Sequence, residues 1–203
     1  MVQKFIMNLY IYLQGGLGNQ MFQYAAGVSA LKEYSQFTDL KLDTSFYNGQ
    51  ETKVVKNGLT GRNYDLDVFN ISYSDVEEAP EGATMLQGWF QNIKEFSNVI
   101  DQIRKEFVFN VDFSEETKKV QNQILSEDNS VAIHVRRGDY IYNPTANTHH
   151  GVLDKEYYDK AIDIMNSKYN HPHYFVFSED VDWCKGNINA PNITYVGSEC
   201  NDY

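Results

Sequence analysis

The chain has 203 residues, 42% of them hydrophobic, enough for a buried core in one large domain or two small ones. A formal net charge of −11 argues against a protein that lives on nucleic acid or anionic membrane, since both demand basic surfaces; an anionic ligand would need a local positive pocket. Two cysteines, Cys184 and Cys200, form neither a disulfide framework nor a CxxC metal pattern, and they fit a reducing compartment.

At the N-terminus a short apolar run is interrupted by Asn8 and followed by no small-residue cleavage site, and it is too short to span a bilayer. Phe5 to Leu13 is therefore expected to be a first strand. It leads into Gln14-Gly15-Gly16-Leu17-Gly18-Asn19-Gln20, after which Met21, Phe22, Ala25, Val28 and Leu31 recur at helical spacing. A glycine-rich turn between strand and helix lets backbone approach a ligand and aims helix N–H groups at it. Met21 stands where a dinucleotide fingerprint has its third glycine, and no Gly-Lys-Ser/Thr follows as in a phosphate loop. A turn that merely permits strand–helix packing explains the same spacing.

Thr38 to Asp43 alternates as a second strand, and Phe46 to Asn63 is polar and loop-like. Asp65 to Ile71 reads as a short strand or a turn, and Ser74 to Gly82 as an acidic loop. In Met85 to Phe90 the burial habits of aromatic residues favour core positions for Trp89 and Phe90 over sugar-stacking platforms. Ile93 to Phe107 has helical spacing. Ser114 caps a further helix to Leu125, and the polar stretch Ser126 to Ser130 is the expected linker.

Val131 to Val135 is a short apolar run broken by His134 and expected to be a buried strand; Arg136, Arg137, Gly138 and Asp139 follow directly. Ligands bind beyond the carboxyl ends of strands in open α/β sheets, and paired guanidiniums suit bidentate capture of phosphate. A solvated cluster with a local ion pair is the alternative. Tyr142 to Gly151 is loop-like; its adjacent His149 and His150 point apart and lack a fitting carboxylate, so solvation or substrate lining is preferred to metal ligation. Asp154 caps a helix carrying Tyr158, Ala161, Ile162, Met165 and Tyr169. Tyr174 to Phe177 is a buried strand ending in Ser178-Glu179-Asp180, which completes a βαβ unit with a crevice, and Ile193 to Val196 is a third strand.

Five segments in order, GGLGNQMFQYAAG (Gly15 to Gly27), LQGWFQ (Leu86 to Gln91), HVRRGDY (His134 to Tyr140), HGVLDKEYYDKAI (His150 to Ile162) and FVFSED (Phe175 to Asp180), resemble the family 11 glycosyltransferases. These are inverting α-1,2-fucosyltransferases that use GDP-fucose. The resemblance implies an α/β protein of GT-B type with two Rossmann-like domains: an acceptor-side domain over residues 1–128 and a GDP-fucose-binding domain over residues 129–203. The family continues with a Cys/His-containing helix and an Asn-Ser-x-Phe-Ser-Trp-Trp segment, and nothing after Gly197 resembles these, so the second domain is expected to be incomplete.

By the same resemblance, Arg136 would clamp the β-phosphate, His134 would approach the nucleotide, and Arg137 and Asp139 would buttress that geometry. Glu179 and Asp180, after Ser178, would face the guanine, and Gly16, Gly18 and Asn19 would lie beside the sugar diphosphate or the acceptor. Asp139 is a candidate base, weakened if it is paired with arginine. No metal or other cofactor is implied. The expected partners are GDP-fucose and a galactose-terminated glycan, and not nucleic acid. The expected location is the cytoplasm, with peripheral association at the inner face of the cell membrane. A GDP- or glycan-binding remnant, or a nucleotide-binding α/β protein of other chemistry, are the competing readings.

Overall fold

The computed structural model describes residues 7–48, 62–142, 144, 147, 148, 151–197 and 200, the side chain of Asp139 excepted. Two compact units divide between Val111 and Asp112.

The first unit begins with β1 (Asn8–Tyr12), whose alternate residues Leu9 and Ile11 are buried, and continues through α1 (Leu17–Glu33) to β2 (Asp39–Asp43). Gly27 lets α1 lie close on the sheet, since a Cβ there would come within 3.0 Å of Leu40. β3 (Asp75–Val76) and β4 (Met85–Leu86) complete a parallel sheet in the order β3-β2-β1-β4. The expected acceptor-side features thus sit on an α/β layer whose core joins Leu9, Ile11, Leu13, Tyr24, Leu40 and Leu42.

Several elements differ from the sequence expectation. The acidic segment after Ser74 contains β3, because the Ser74 and Val76 carbonyls accept from Leu42 and Thr44 at the edge of β2. The helix expected over 93–107 splits into a 3-10 stretch (Ile93–Val99) and α2 (Ile100–Glu106), with non-helical backbone at Phe96. Phe90 packs on the core as expected, but Trp89 is 51% exposed.

The second unit opens with α3 (Glu115–Ser126), where the Ser114 hydroxyl accepts from the Thr117 N–H as an N-cap. The expected division after Asp128 falls beyond this helix. α3 belongs with the second sheet, tied to it by Gln123 donating to the Thr194 hydroxyl (3.3 Å) and by Glu127 meeting His173 Nδ1 (2.9 Å). β5 (Ser130–Val135), α4 (Gly138–Tyr142), α5 (Lys155–Lys168), β6 (His173–Ser178), α6 (Val181–Asn187) and β7 (Ile193–Val196) follow, with a parallel sheet in the order β5-β6-β7.

The β5 strand was expected to be buried, yet only Val135 is; Ala132 and His134 are exposed because β5 lies at the edge of the three strands. Two residues after its end α4 begins at Gly138 and runs to Tyr142, where the loop-like stretch was expected to start. His149 and His150 lie outside the described residues. On α5, capped by Asp154, Tyr158 and Ile162 are buried against Val135, Tyr174 and Val176.

Candidate active site

β5 and β6 run parallel with Val135 beside Ser178, so the residues that follow each strand emerge side by side. Ser178 clasps the two ends: its hydroxyl donates to the Val135 carbonyl (2.9 Å) and accepts from the Asp180 N–H (3.0 Å). Glu179 Oε1 accepts from the Arg137 N–H (3.1 Å). This contact is possible because position 138 is glycine; a Cβ there would stand 2.6 Å from the same oxygen.

The two arginines are held differently. Arg137 Nε donates to Asp180 Oδ2 (2.9 Å), and its guanidinium lies 4.0 Å from the centroid of the Trp183 ring, with only 16% of the side chain exposed. Arg136 is 37% exposed; one of its terminal nitrogens lies 3.7 Å from Glu179 Oε1, and its guanidinium sits 5.3 Å over Tyr140. Arg137 is therefore locked into the protein, and Arg136 places a second, half-exposed guanidinium at the strand end, where a planar fork suits an anionic ligand.

Asp180 has both oxygens engaged: Oδ2 holds Arg137, and Oδ1 accepts from the Trp183 N–H to cap α6. It acts as a strut between strand end and helix. Glu179, Asp182, Lys185, Tyr195 and Gly197 line a polar cleft of about 360 Å³ beyond the ends of β6 and β7. Beneath it Cys184 is fully buried, and burial pushes its thiol pKa up. His134 is exposed as the penultimate residue of β5; Asp139 follows on α4 with its side chain outside the described residues. No group of three or more His, Cys, Asp or Glu among the described residues could hold a metal ion.

In the first unit the glycine-rich turn forms as expected. Gly15 has φ +81°, a conformation that favours glycine, and a Cβ there would meet the Asn19 amide at 2.5 Å. Gly16 is the N-cap of α1, its carbonyl accepting from Asn19 and Gln20. At Gly18 a Cβ would meet nothing within 4 Å among the described residues, so their packing does not require glycine there.

Sequence reasoning missed the amides that fix this turn. Gln20 donates to the carbonyls of Gly15 (3.2 Å) and Asn63 (2.8 Å) and accepts from the Asp65 N–H (2.9 Å). Gln23 accepts from Gln14 and donates to the Gly88 carbonyl. It also missed Tyr24, whose hydroxyl donates to buried Glu106 (2.6 Å), and Trp183 beneath Arg137. A signal existed for the last: Asp180 three residues before Trp183 is a helix-start spacing.

Two α/β units, each with a parallel sheet and a ligand-capable turn at its strand ends, give the chain an α/β architecture of the GT-B type. The fold is similar to that of the NodZ α-1,6-fucosyltransferase co-crystallised with GDP, with a TM-score of 0.51 at 10% identity, over 95% of this chain and 78% of that one. Residues 61–200 match glycosyl transferase family 11, and the chain belongs to that family. It is 27% identical over 206 residues to an α-1,2-colitosyltransferase of Escherichia coli, covering 85% of this chain and 69% of that protein. It is 31% identical over 110 residues to the Homo sapiens galactoside α-(1,2)-fucosyltransferase 1, covering 50% of this chain and 30% of that protein.

Proposed function

We propose that this glycosyltransferase moves L-fucose from GDP-fucose to the 2-hydroxyl of a galactoside, the second unit taking the donor and the first the acceptor. The observation that carries this reading is the division of labour between the arginines: Arg137 braced by Asp180 and Trp183, Arg136 presented at the strand end. The human relative's name supplies the galactoside, and both relatives' names supply the α-1,2 linkage.

In the proposed reaction the acceptor oxygen attacks the anomeric carbon as the bond to the β-phosphate oxygen breaks, and the electron pair departs with GDP. Negative charge grows on the diphosphate, so a fixed Arg136 guanidinium stabilises the transition state more than the ground state. Arg137 holds the loop that carries Arg136, and His134 approaches the nucleotide. Asp139 takes the acceptor proton. Glu179, on the wall of the cleft, accepts from the guanine N1–H and amino group; Asp180, with both oxygens engaged, supports it. Gly16, Gly18 and Asn19 receive the sugar at the start of α1. The reaction proceeds without a metal, the guanidinium neutralising the diphosphate.

No helix among the described residues is long and apolar enough to cross a membrane. The proposed setting is the cytoplasm, peripheral to the inner face of the membrane, in surface glycan synthesis; cell fractionation tests it.

Transfer assays with the purified chain and Arg136→Ala test the function. The expected loss in turnover is about 10²–10³-fold, the scale of removing one preorganised charge-stabilising donor, with activity unchanged by EDTA. A donor carrying colitose belongs in the same assay, since that sugar is named for one relative. GDP binding with no transfer to any galactoside would replace the enzyme reading with that of a binding remnant.

A further inference from the structure

We propose that Trp89 is the platform on which the acceptor's sugar ring stacks, an inference that rests on the first unit taking the acceptor. From β1 the chain crosses through α1 to β2 on one side, and β4 later pairs on the other side of β1. The crevice beyond the carboxyl ends of strands at such a reversal is where open α/β sheets bind ligands. The glycine-rich turn follows β1 at this point, and Gln87-Gly88-Trp89 follows β4.

Side-chain bonds stitch the two segments together. Gln23 Nε2 donates to the Gly88 carbonyl (3.2 Å), and Gln91 Nε2 donates to Asn19 Oδ1 (2.7 Å). Between those anchors Phe90 takes a left-handed backbone, φ +49°, which is rare for a bulky side chain and concentrates at functional sites. Phe90 packs against the core, while its neighbour Trp89 stays 51% exposed. A Gly88 Cβ would lie 3.1 Å from the Phe90 ring, so any larger residue there would push on that ring.

An exposed indole on the segment whose Gln91 amide bonds the Asn19 amide of the glycine-rich turn has the chemistry of a neutral pyranose site. The ring covers a contiguous C–H face, as galactosides present, and the amides address hydroxyls. The isolated exposed tryptophan of an ordinary surface would be joined neither to the glycine-rich turn nor to a strained neighbour.

The test uses the full chain with galactosides as probes. Galactoside addition is expected to change tryptophan fluorescence in the wild type and not in Trp89→Ala, which leaves Trp183 as the remaining tryptophan. In transfer assays Trp89→Ala is expected to raise acceptor KM about tenfold, the scale of one aromatic contact. Trp89→Phe is expected to restore most of that loss, and GDP affinity to stay within about twofold. An unchanged acceptor KM, or equal losses in GDP affinity and acceptor KM, overturns the platform. If galactosides give no signal, a panel of other pyranosides decides. A Trp89-dependent signal with one of them keeps the platform and refutes the galactoside; no signal with any refutes the platform.

Discussion

Arg137 Nε donates to Asp180 Oδ2 at 2.9 Å, and this ion pair joins the residues that leave β5 to those that leave β6. Because the guanidinium also rests on Trp183, with Asp180 capping the helix that carries Trp183, three elements share one strut. Arg137→Ala should therefore be a stability variant, costing about 1.5–3 kcal/mol, the range for hydrogen bonds to charged groups. Arg136→Ala, which removes a half-exposed pair with Glu179, should cost about 1 kcal/mol or less while removing activity. Urea melts beside transfer assays check the contrast; equal destabilisation by both would dissolve the distinction between brace and clamp.

Gly138→Ala probes the same junction without touching a charge. The new Cβ would meet Glu179 Oε1 at 2.6 Å, and Glu179 Cγ at 3.1 Å, so the carboxylate must leave the Arg137 N–H. Since Glu179 is 37% exposed and can swing outward, the expected stability cost is about 1 kcal/mol, one hydrogen bond. GDP affinity should fall at least tenfold by isothermal titration, because the same carboxylate is assigned to the guanine. Undiminished GDP binding would remove Glu179 from that role.

Much of this junction was legible in the sequence, because apolar runs bounded by turn residues mark strand ends wherever they occur. The βαβ unit, the glycine-rich turn and the caps at Ser114 and Asp154 all follow from local pattern. The exposure of β5 did not follow, since it depends on which strands lie beside it. Nor did Trp89, whose burial habit is overridden by the backbone of its neighbour Phe90. Gln20 and Gln23 were invisible for another reason: their carboxamides satisfy carbonyls 43 and 65 residues away, a long-range task that periodicity does not encode.

Tyr24 lies at the heart of the first unit. Its hydroxyl donates to Glu106 Oε2 and accepts from the Ser72 N–H, while Ser72 and Gln102 donate to the other carboxylate oxygen. Burial, reinforced by the Glu106 bond, drives the phenol pKa well above its ordinary value, so it stays protonated and donating across the working pH range. Tyr24→Phe should cost about 1.5–3 kcal/mol by leaving a buried carboxylate short of a donor. Denaturant melts should show the loss, with turnover at low temperature unchanged.

Cys184 gives a test of the packing beneath the cleft. With no exposed surface and a thiol pKa raised by burial, it presents little thiolate to an alkylating reagent at neutral pH. Iodoacetamide should label it in the folded chain at least a hundredfold more slowly than in urea, as read by mass spectrometry of the peptide containing it. Comparable rates in both states would mean that the α6 face is open.

Gly18 separates stability from function. It stands in the first turn of α1, and a Cβ there would meet nothing within 4 Å among the described residues. Alanine is the better helix former and restricts the unfolded chain, so Gly18→Ala should stabilise by about 0.4–1 kcal/mol. For a chain of this length that corresponds to a Tm rise of about 1–4 °C. If the first-turn N–H groups of α1 receive the sugar at close range, the added methyl should lower transfer at least tenfold in the same preparation. A variant that is both more stable and fully active would show that the glycine at 18 serves no ligand, leaving the turn as a packing device alone.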